Sequence, residues 1–248
     1  MSAPILLHGG WDPPRRPSGW RLLLMVLVAY STAQVLSGIM LFLLIGLPTS
    51  LAELHARIGE VQLARNVALP SVVGEAAMFV IAWLFMHRQL ALREIGAGPL
   101  RWRDFGVAVT VVVAVLVASV LFGALLHAQD VPSQLKLAQH LHGLWETPAI
   151  AISAGVAEEV TFRGYLLTGL SRMWPRTRWL AVLLSSLGFA LAHLAWGLQP
   201  VQFAFYVALG VILALSVQWQ RSLWPAVIAH AAWDVLALAL LMTTGVIA

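Results

Sequence analysis

The chain has 248 residues, of which 60% are hydrophobic and only 10% are charged, and its mean hydropathy is +0.85. A soluble domain carries about 25% charged residues, so this composition excludes a soluble protein and indicates one that crosses a membrane several times. The absence of cysteine excludes disulfides, thiolate metal sites and a cysteine nucleophile, and the net charge of +4 resides in short loops, which favours membrane orientation over nucleic-acid binding.

The predicted elements alternate between apolar spans and polar connections. Residues 1–19 are polar and proline-rich, lack the cleavage pattern of a signal peptide, and are predicted to form an N-terminal cytoplasmic tail. Residues 20–248 are predicted to form a single transmembrane domain. Its seven expected spans are Trp20–Leu47, Leu69–Met86, Phe105–His127, Ile150–Leu170, Trp179–Trp196, Pro200–Trp219 and Leu223–Ile247, with longer polar connections at Pro48–Ala68 and Asp130–Thr147. The predicted fold is therefore all-α, a polytopic transmembrane helix bundle of about seven spans with an intramembrane polar cavity.

The basic residues favour one side of these spans. With the N-terminus inside, the inner segments hold 11 arginines and the outer segments hold only Arg57, Arg65 and Lys136. The 11 are Arg15, Arg16, Arg21, Arg88, Arg93, Arg101, Arg103, Arg172, Arg176, Arg178 and Arg221. This positive-inside bias predicts a cytoplasmic N-terminus. Because arginine outnumbers lysine 14 to 1, which is typical of a GC-rich bacterial genome, we expect an integral protein of a bacterial inner (cell) membrane.

The fourth span, IAISAGVAEEVTFRGYLLTGL, contains three ionisable side chains. Each costs roughly 2.5–3.5 kcal/mol at the bilayer centre, so their presence indicates a specific role. Glu159 and Arg163 are four residues apart and are predicted to neutralise each other on one helical face. Glu158 lies about 100° round the helix from that face, so one carboxylate is left to point at a neighbouring helix.

Other ionisable residues occur in the spans on either side. His193 lies in span 5, His230 and Asp234 share a helical face in span 7, and Glu75 lies in span 2. Taken alone, each histidine suits hydrogen-bonded packing, and Glu75 suits a helix–helix hydrogen bond or a cavity wall. Together, the groups of spans 4, 5 and 7 fall at similar estimated depths and are predicted to meet in one functional cavity. His140 and His142 lie in a loop and are expected to be solvated.

Three segments carry a family resemblance, which covers roughly residues 148–238. EEVTFR at 158–163, FALAH at 189–193 and SLWPAVIAHAAWD at 222–234 resemble the EExxxR, FxxxH and HxxxN/D motifs of the CPBP family. That family comprises the Ras-converting type of CAAX prenyl endopeptidase and the bacterial Abi or bacteriocin-processing membrane proteases. Asp234 stands where eukaryotic members usually have Asn, and an ionised Asp would repel a developing oxyanion.

The resemblance implies an intramembrane endopeptidase acting on membrane-embedded or lipid-tethered peptides. Glu158 would be the general base for a water that His193 helps to hold. His230, oriented by Asp234, would stabilise the oxyanion. Glu159 and Arg163 would fix the helix and orient Glu158. All six residues are thus predicted to be catalytic.

The alternatives to this interpretation concern the cofactor, the class of protease and the function of the protein. We expect no cofactor, but Glu158, Glu159, His193 and His230 are acceptable zinc ligands, and zinc at Glu158, His193 and His230 is the alternative. The sequence has no HExxH, no GxSxG and no second membrane aspartate, which disfavours the corresponding protease classes. A non-catalytic membrane scaffold or bacteriocin-immunity protein is the alternative function. A transporter is disfavoured because no internal repeat is visible. No obvious dimer face or natural substrate is indicated.

Overall fold

A computed structural model describes residues 17–46, 50, 53, 60–126, 145–194 and 200–244. Its helices are α1 (Gly19–Ile45), α2 (Glu60–Met86), α3 (Trp102–Leu126), α4 (Glu146–Glu158), a π-helix (Glu159–Leu167), α5 (Thr168–Met173), α6 (Arg178–Ala192), α7 (Pro200–Gln220) and α8 (Trp224–Thr244). The segment 146–173 is helical without interruption, and these residue ranges contain no β-strand. The all-α prediction is confirmed.

Among the residues that the structure describes, four helices are long and apolar enough to cross a bilayer. They are Gly19–Leu44, Ala68–Met86, Trp102–Phe122 and Pro200–Gln220, and the segments Arg178–Ala192 and Trp224–Ala239 are shorter apolar helices. Their outward faces expose large apolar side chains, such as Leu43 in α1 and Val120 in α3, as a lipid-facing surface does. The helical membrane bundle is confirmed, whereas the count of seven spans stays a prediction.

The fourth span differs from its predicted form. We predicted one helix over Ile150–Leu170, but the chain changes from α- to π-helical winding at Glu159 and returns at Thr168. A π-helix bonds i to i+5 rather than i to i+4, so it turns side chains to positions that an α-helix does not offer. In addition, α2 begins at Glu60, within the predicted connection Pro48–Ala68. Residues 1–16 of the predicted tail, His140 and His142 lie outside the described residues.

The π-helix is the centre of the bundle. All nine of its residues are buried, and it packs against α1, α2, α4, α5, α6 and α7. Two glycines bring neighbouring helices close together. A Cβ at Gly155 of α4 would lie 3.1 Å from the Val227 carbonyl oxygen of α8, and one at Gly210 of α7 would lie 2.9 Å from Ser186 Cα of α6. The first approach joins α4, which ends at Glu158, to α8, which carries His230, and the second joins α7 to α6, which His193 follows.

The arginine-rich connections lie together at one end of the bundle. The Leu223 N–H donates to the Gly96 carbonyl oxygen at 2.9 Å, and the Trp224 indole donates to Gly98 at 2.6 Å, so the start of α8 is tied to the loop after α2. Gly169 of α5 is within 2.7 Å (measured from its ideal Cβ) of Leu22 near the start of α1. We call the end of the bundle that contains the loop after α2, the helix α5 and the start of α8 the arginine end.

Candidate active site

The buried ion pair predicted within the fourth span is present. The side chains of Glu159 and Arg163 are both 0% exposed, and Arg163 Nη1 donates to Glu159 Oε1 at 2.7 Å. The same oxygen lies 2.8 Å from Nδ1 of His230, which is 71 residues further along the chain. Glu159 therefore joins the π-helix to α8 and, by accepting from Nδ1, leaves Nε2 of His230 facing the rest of the site.

Glu158, the last residue of α4, faces two histidines from two other helices. Its Oε2 lies 3.8 Å from Nε2 of His193 and 3.9 Å from Nε2 of His230. The side chain is 14% exposed, and within the described part of the chain Oε2 has no hydrogen-bond partner. The structure thus brings Glu158, His193 and His230 together, and the Glu159–Arg163 pair makes no bond to Glu158 Oε2.

The His193 ring is held in one orientation. Its Nδ1 lies 2.8 Å from the Phe189 carbonyl oxygen one helical turn earlier, so Nδ1 carries the proton and Nε2 presents a lone pair. Tyr206 of α7 stacks on the ring with centroids 4.3 Å apart. The hydroxyl of Tyr30 in α1 donates to the Ala192 carbonyl, next to His193. Three helices thus fix the direction in which Nε2 points.

The aromatic ring of Phe189, four positions before His193, packs against three of the site residues. The Arg163 guanidinium lies over its ring, 4.1 Å from the centroid. The ring also contacts His193 at 4.6 Å and His230 at 5.8 Å between centroids. One fully buried ring therefore covers the cation, whose Nε and Nη2 find no hydrogen-bond partner among the described residues, and packs both histidines.

Asp234 lies beside His230, and its orienting role stays a prediction. We predicted that Asp234 orients His230, but its Oδ2 is 3.6 Å from Nε2, the nitrogen that faces Glu158. Orientation through Nδ1 comes from Glu159. Glu159 and Arg163 were predicted to orient Glu158, and the bonds they make go to each other and to His230 instead. The reason is tertiary: α8 packs against α4 so that His230 reaches the first turn of the π-helix.

Glu75 belongs to the same cluster. It interacts electrostatically with Glu158, His230 and Asp234, and its Oε2 is buried without a hydrogen-bond partner within the described ranges. Sequence reasoning favoured a packing role, although an ionisable residue within a span was itself a signal of function. Nothing in the sequence pointed to Tyr206.

The cluster contains residue types that can ligate a metal ion. Among the residues that the structure describes, no group of three or more His, Asp or Glu is arranged to hold a metal ion. The Nδ1 hydrogen bonds leave Nε2 of each histidine facing Oε2 of Glu158, as in metal-ligating histidines, whereas Glu159 is committed to Arg163 and His230. Glu158, His193 and His230 are therefore the residues that would hold a metal in the zinc alternative.

The comparisons with known proteins agree with the motifs. Residues 139–236 match the family described as Rce1-like, type II CAAX prenyl endopeptidase Rce1-like. No curated protein and no solved structure matches the chain. The matched range contains all six predicted site residues, and the apolar helices place the chain among integral membrane proteins. Over residues 139–236, the chain is therefore similar to the Rce1-like family of type II CAAX prenyl endopeptidases.

Proposed function

We propose that this protein is an intramembrane endopeptidase that hydrolyses membrane-associated or lipid-tethered peptides with a water activated by Glu158. The single observation that carries the proposal is the convergence of two imidazole Nε2 atoms on one unpartnered carboxylate oxygen inside an apolar bundle. Structural carboxylates in such surroundings are paired, as Glu159 is with Arg163.

The separations suit a bridging water. At 3.8 and 3.9 Å, the two imidazole–carboxylate distances exceed a direct hydrogen bond and match a gap spanned by one water molecule. A water there donates one hydrogen to Glu158 and the other to Nε2 of His193. Its oxygen lone pair is then free to approach a carbonyl carbon.

The proposed reaction has two steps. Glu158 takes a proton from the water as the oxygen attacks the scissile carbonyl carbon, and the carbonyl π-electrons move to its oxygen. His230, protonated on both nitrogens, donates from Nε2 to that oxyanion while Nδ1 stays bonded to Glu159. The tetrahedral intermediate collapses, the C–N bond breaks, and Glu158 returns its proton to the leaving amine.

Three further residues, Glu159, Arg163 and Asp234, set the tautomer and the charge of the His230 imidazole. Glu159, neutralised by Arg163, fixes the tautomer of His230 and stabilises its charged form. Asp234, 3.6 Å from Nε2, adds a second negative charge beside that imidazole. Because an ionised Asp would repel the oxyanion, we assign the oxyanion to His230 and not to Asp234.

The proposal extends to cofactor and location. We propose that hydrolysis needs no metal, so that cleavage survives a strong chelator and elemental analysis finds no stoichiometric zinc. We also propose that the protein lies in a bacterial inner membrane with its N-terminus in the cytoplasm, supported by the collection of arginines at one end of the bundle.

The test uses the full chain in liposomes with a lipid-anchored, internally quenched peptide. Glu158→Gln and His193→Gln are each expected to lower cleavage by about 10²–10⁴-fold without unfolding the protein. His87→Gln is the matched control, since among the described residues the His87 ring contacts backbone oxygens at the end of α2 and stacks on Trp83. Full cleavage by Glu158→Gln refutes the mechanism. Absence of cleavage in the parent protein favours the scaffold or immunity function.

A further inference from the structure

A second polar region lies at the arginine end of the bundle, apart from the catalytic cluster. It is a cavity of about 340 Å³ between the loop after α2, the π-helix and α5, the start of α6 and the end of α7. Arg93, Arg172, Arg178 and Arg221 all line it. They come from four separate places in the chain and converge on one space.

The positive charge of this cavity is mostly unbalanced. Glu94 is the one carboxylate among the described lining residues, and it is already occupied: Oε1 accepts from Arg172 Nη2 at 2.9 Å and Oε2 accepts from the Ala91 N–H at 2.6 Å. Partial burial raises the pKa of Glu94, but the bonds from Ala91 and Arg172 outweigh it and hold the pKa below its ordinary value. Glu94 is therefore ionised at neutral pH and balances only one of the four arginines.

The other guanidinium donors have no acidic partner among the described residues. Nη1 of Arg172 is buried with no hydrogen-bond partner, and Arg93, Arg178 and Arg221 form no ion pair with any described residue. A buried donor without an acceptor costs free energy, so an acceptor bound in the cavity would stabilise the folded protein. The neutral polar side chains of Thr168, Ser171 and Gln218 also line the space and supply further hydrogen-bonding groups.

Arg221 occupies a strained backbone position. Its φ is 51°, in the left-handed region that glycine adopts without cost, and it is the turn residue between α7 and α8. A residue with a Cβ is strained in this conformation. The chain thus carries a guanidinium at the cavity where a glycine would relieve strain.

We propose that this cavity binds a phosphate group. Guanidinium forks match the oxygens of phosphate, and arginines arriving from several directions suit a tetrahedral anion better than a planar carboxylate. The volume is at the small end of the range for small-molecule sites, as a headgroup requires. Membrane orientation accounts for arginines at this end but not for their convergence, with polar neighbours, on one cavity. The phosphate belongs to a phospholipid headgroup or to a soluble phosphate compound.

The test measures thermal unfolding of the full chain in a neutral detergent, with inorganic phosphate in one arm and phosphatidylglycerol in the other. Diacylglycerol, which has no phosphate, and sodium chloride of equal ionic strength are the reference additions. We expect stabilisation that saturates with phosphatidylglycerol, and Arg93→Gln and Arg178→Gln should each weaken its apparent affinity by about tenfold. Glu94→Gln, which removes the competing carboxylate, should strengthen it.

Arg103→Gln is the matched control. Arg103 is exposed beside the same loop, does not line the cavity, and its replacement removes the same charge from the same end. Saturable stabilisation by both additives identifies any phosphate as a ligand, and stabilisation by the lipid alone identifies a headgroup site. The proposal is overturned if neither additive stabilises the protein beyond sodium chloride, or if Arg103→Gln weakens binding as much as Arg93→Gln. Because unfolding is the readout, the result does not depend on proteolysis.

Discussion

Replacing each of the two adjacent glutamates by glutamine separates chemistry from stability. Glu159 is fully buried and its Oε1 accepts from both Arg163 and His230. Glu158 offers an Oε2 that no described residue bonds. The two substitutions are chemically identical and one residue apart, so any difference between them comes from what each carboxylate contacts.

The expected magnitudes follow from those contacts. Glu159→Gln leaves a buried guanidinium without its counter-charge, and breaking such a pair by removing one partner costs about 3–5 kcal/mol. Glu158→Gln removes no hydrogen bond that the protein makes at Oε2 and should change the free energy of unfolding by less than about 1 kcal/mol. Cleavage is nevertheless expected to be lost in both, because Glu158→Gln has no base and Glu159→Gln no longer fixes His230.

The assay combines equilibrium unfolding in mixed micelles with peptide cleavage in liposomes. The double variant Glu159→Gln with Arg163→Met completes a mutant cycle, and it should regain most of the lost stability because no unpaired charge remains. Equal destabilisation by the two single glutamine variants would refute the distinction between a positioning and a catalytic carboxylate. So would additive effects of Glu159→Gln and Arg163→Met.

Three other predictions concern residues around the two sites. Phe189→Leu should lower the free energy of unfolding by about 2 kcal/mol, since the Arg163 guanidinium loses the ring it covers, and should reduce cleavage in the same preparation. Gly155→Ala should reduce cleavage at least tenfold because the new Cβ pushes α4 from α8, whereas Gly106→Ala, with nothing within 4 Å, should leave it unchanged. The pKa of Glu94 is lower in the folded protein than in the unfolded chain. Its contribution to stability is therefore present above the ordinary carboxyl pKa and is lost as the pH falls through the lower, folded pKa. The unfolding midpoints of the parent protein and of Glu94→Gln should accordingly converge under acid conditions.

The sequence predicted the local relations and missed the long-range ones. The pairing of Glu159 with Arg163 follows from their spacing alone, and the gathering of Glu158, His193 and His230 follows from the cost of burying such groups separately. The bond between Glu159 and His230 joins residues 71 positions apart, and only packing of α8 on the bundle creates it.

The switch to π-helical winding was also beyond sequence reasoning. It changes the hydrogen-bonding interval by one residue, and residues 159–167 carry no compositional feature that distinguishes the two helix types. The arginine-lined cavity could not be predicted from the sequence for a related reason. The bias of arginines to one side was visible, but their meeting from four chain positions depends on how the helix ends are arranged.

The shortness of α6 has a consequence for how a polar substrate reaches the cluster. Its 15 residues extend about 22 Å, less than the roughly 30 Å hydrocarbon thickness of a bilayer. A bilayer that thins to match this helix brings its polar interface closer to the last carbonyls of α6. His193 follows the final residue of α6, so such thinning would shorten the path by which water and an extended polypeptide reach the imidazole.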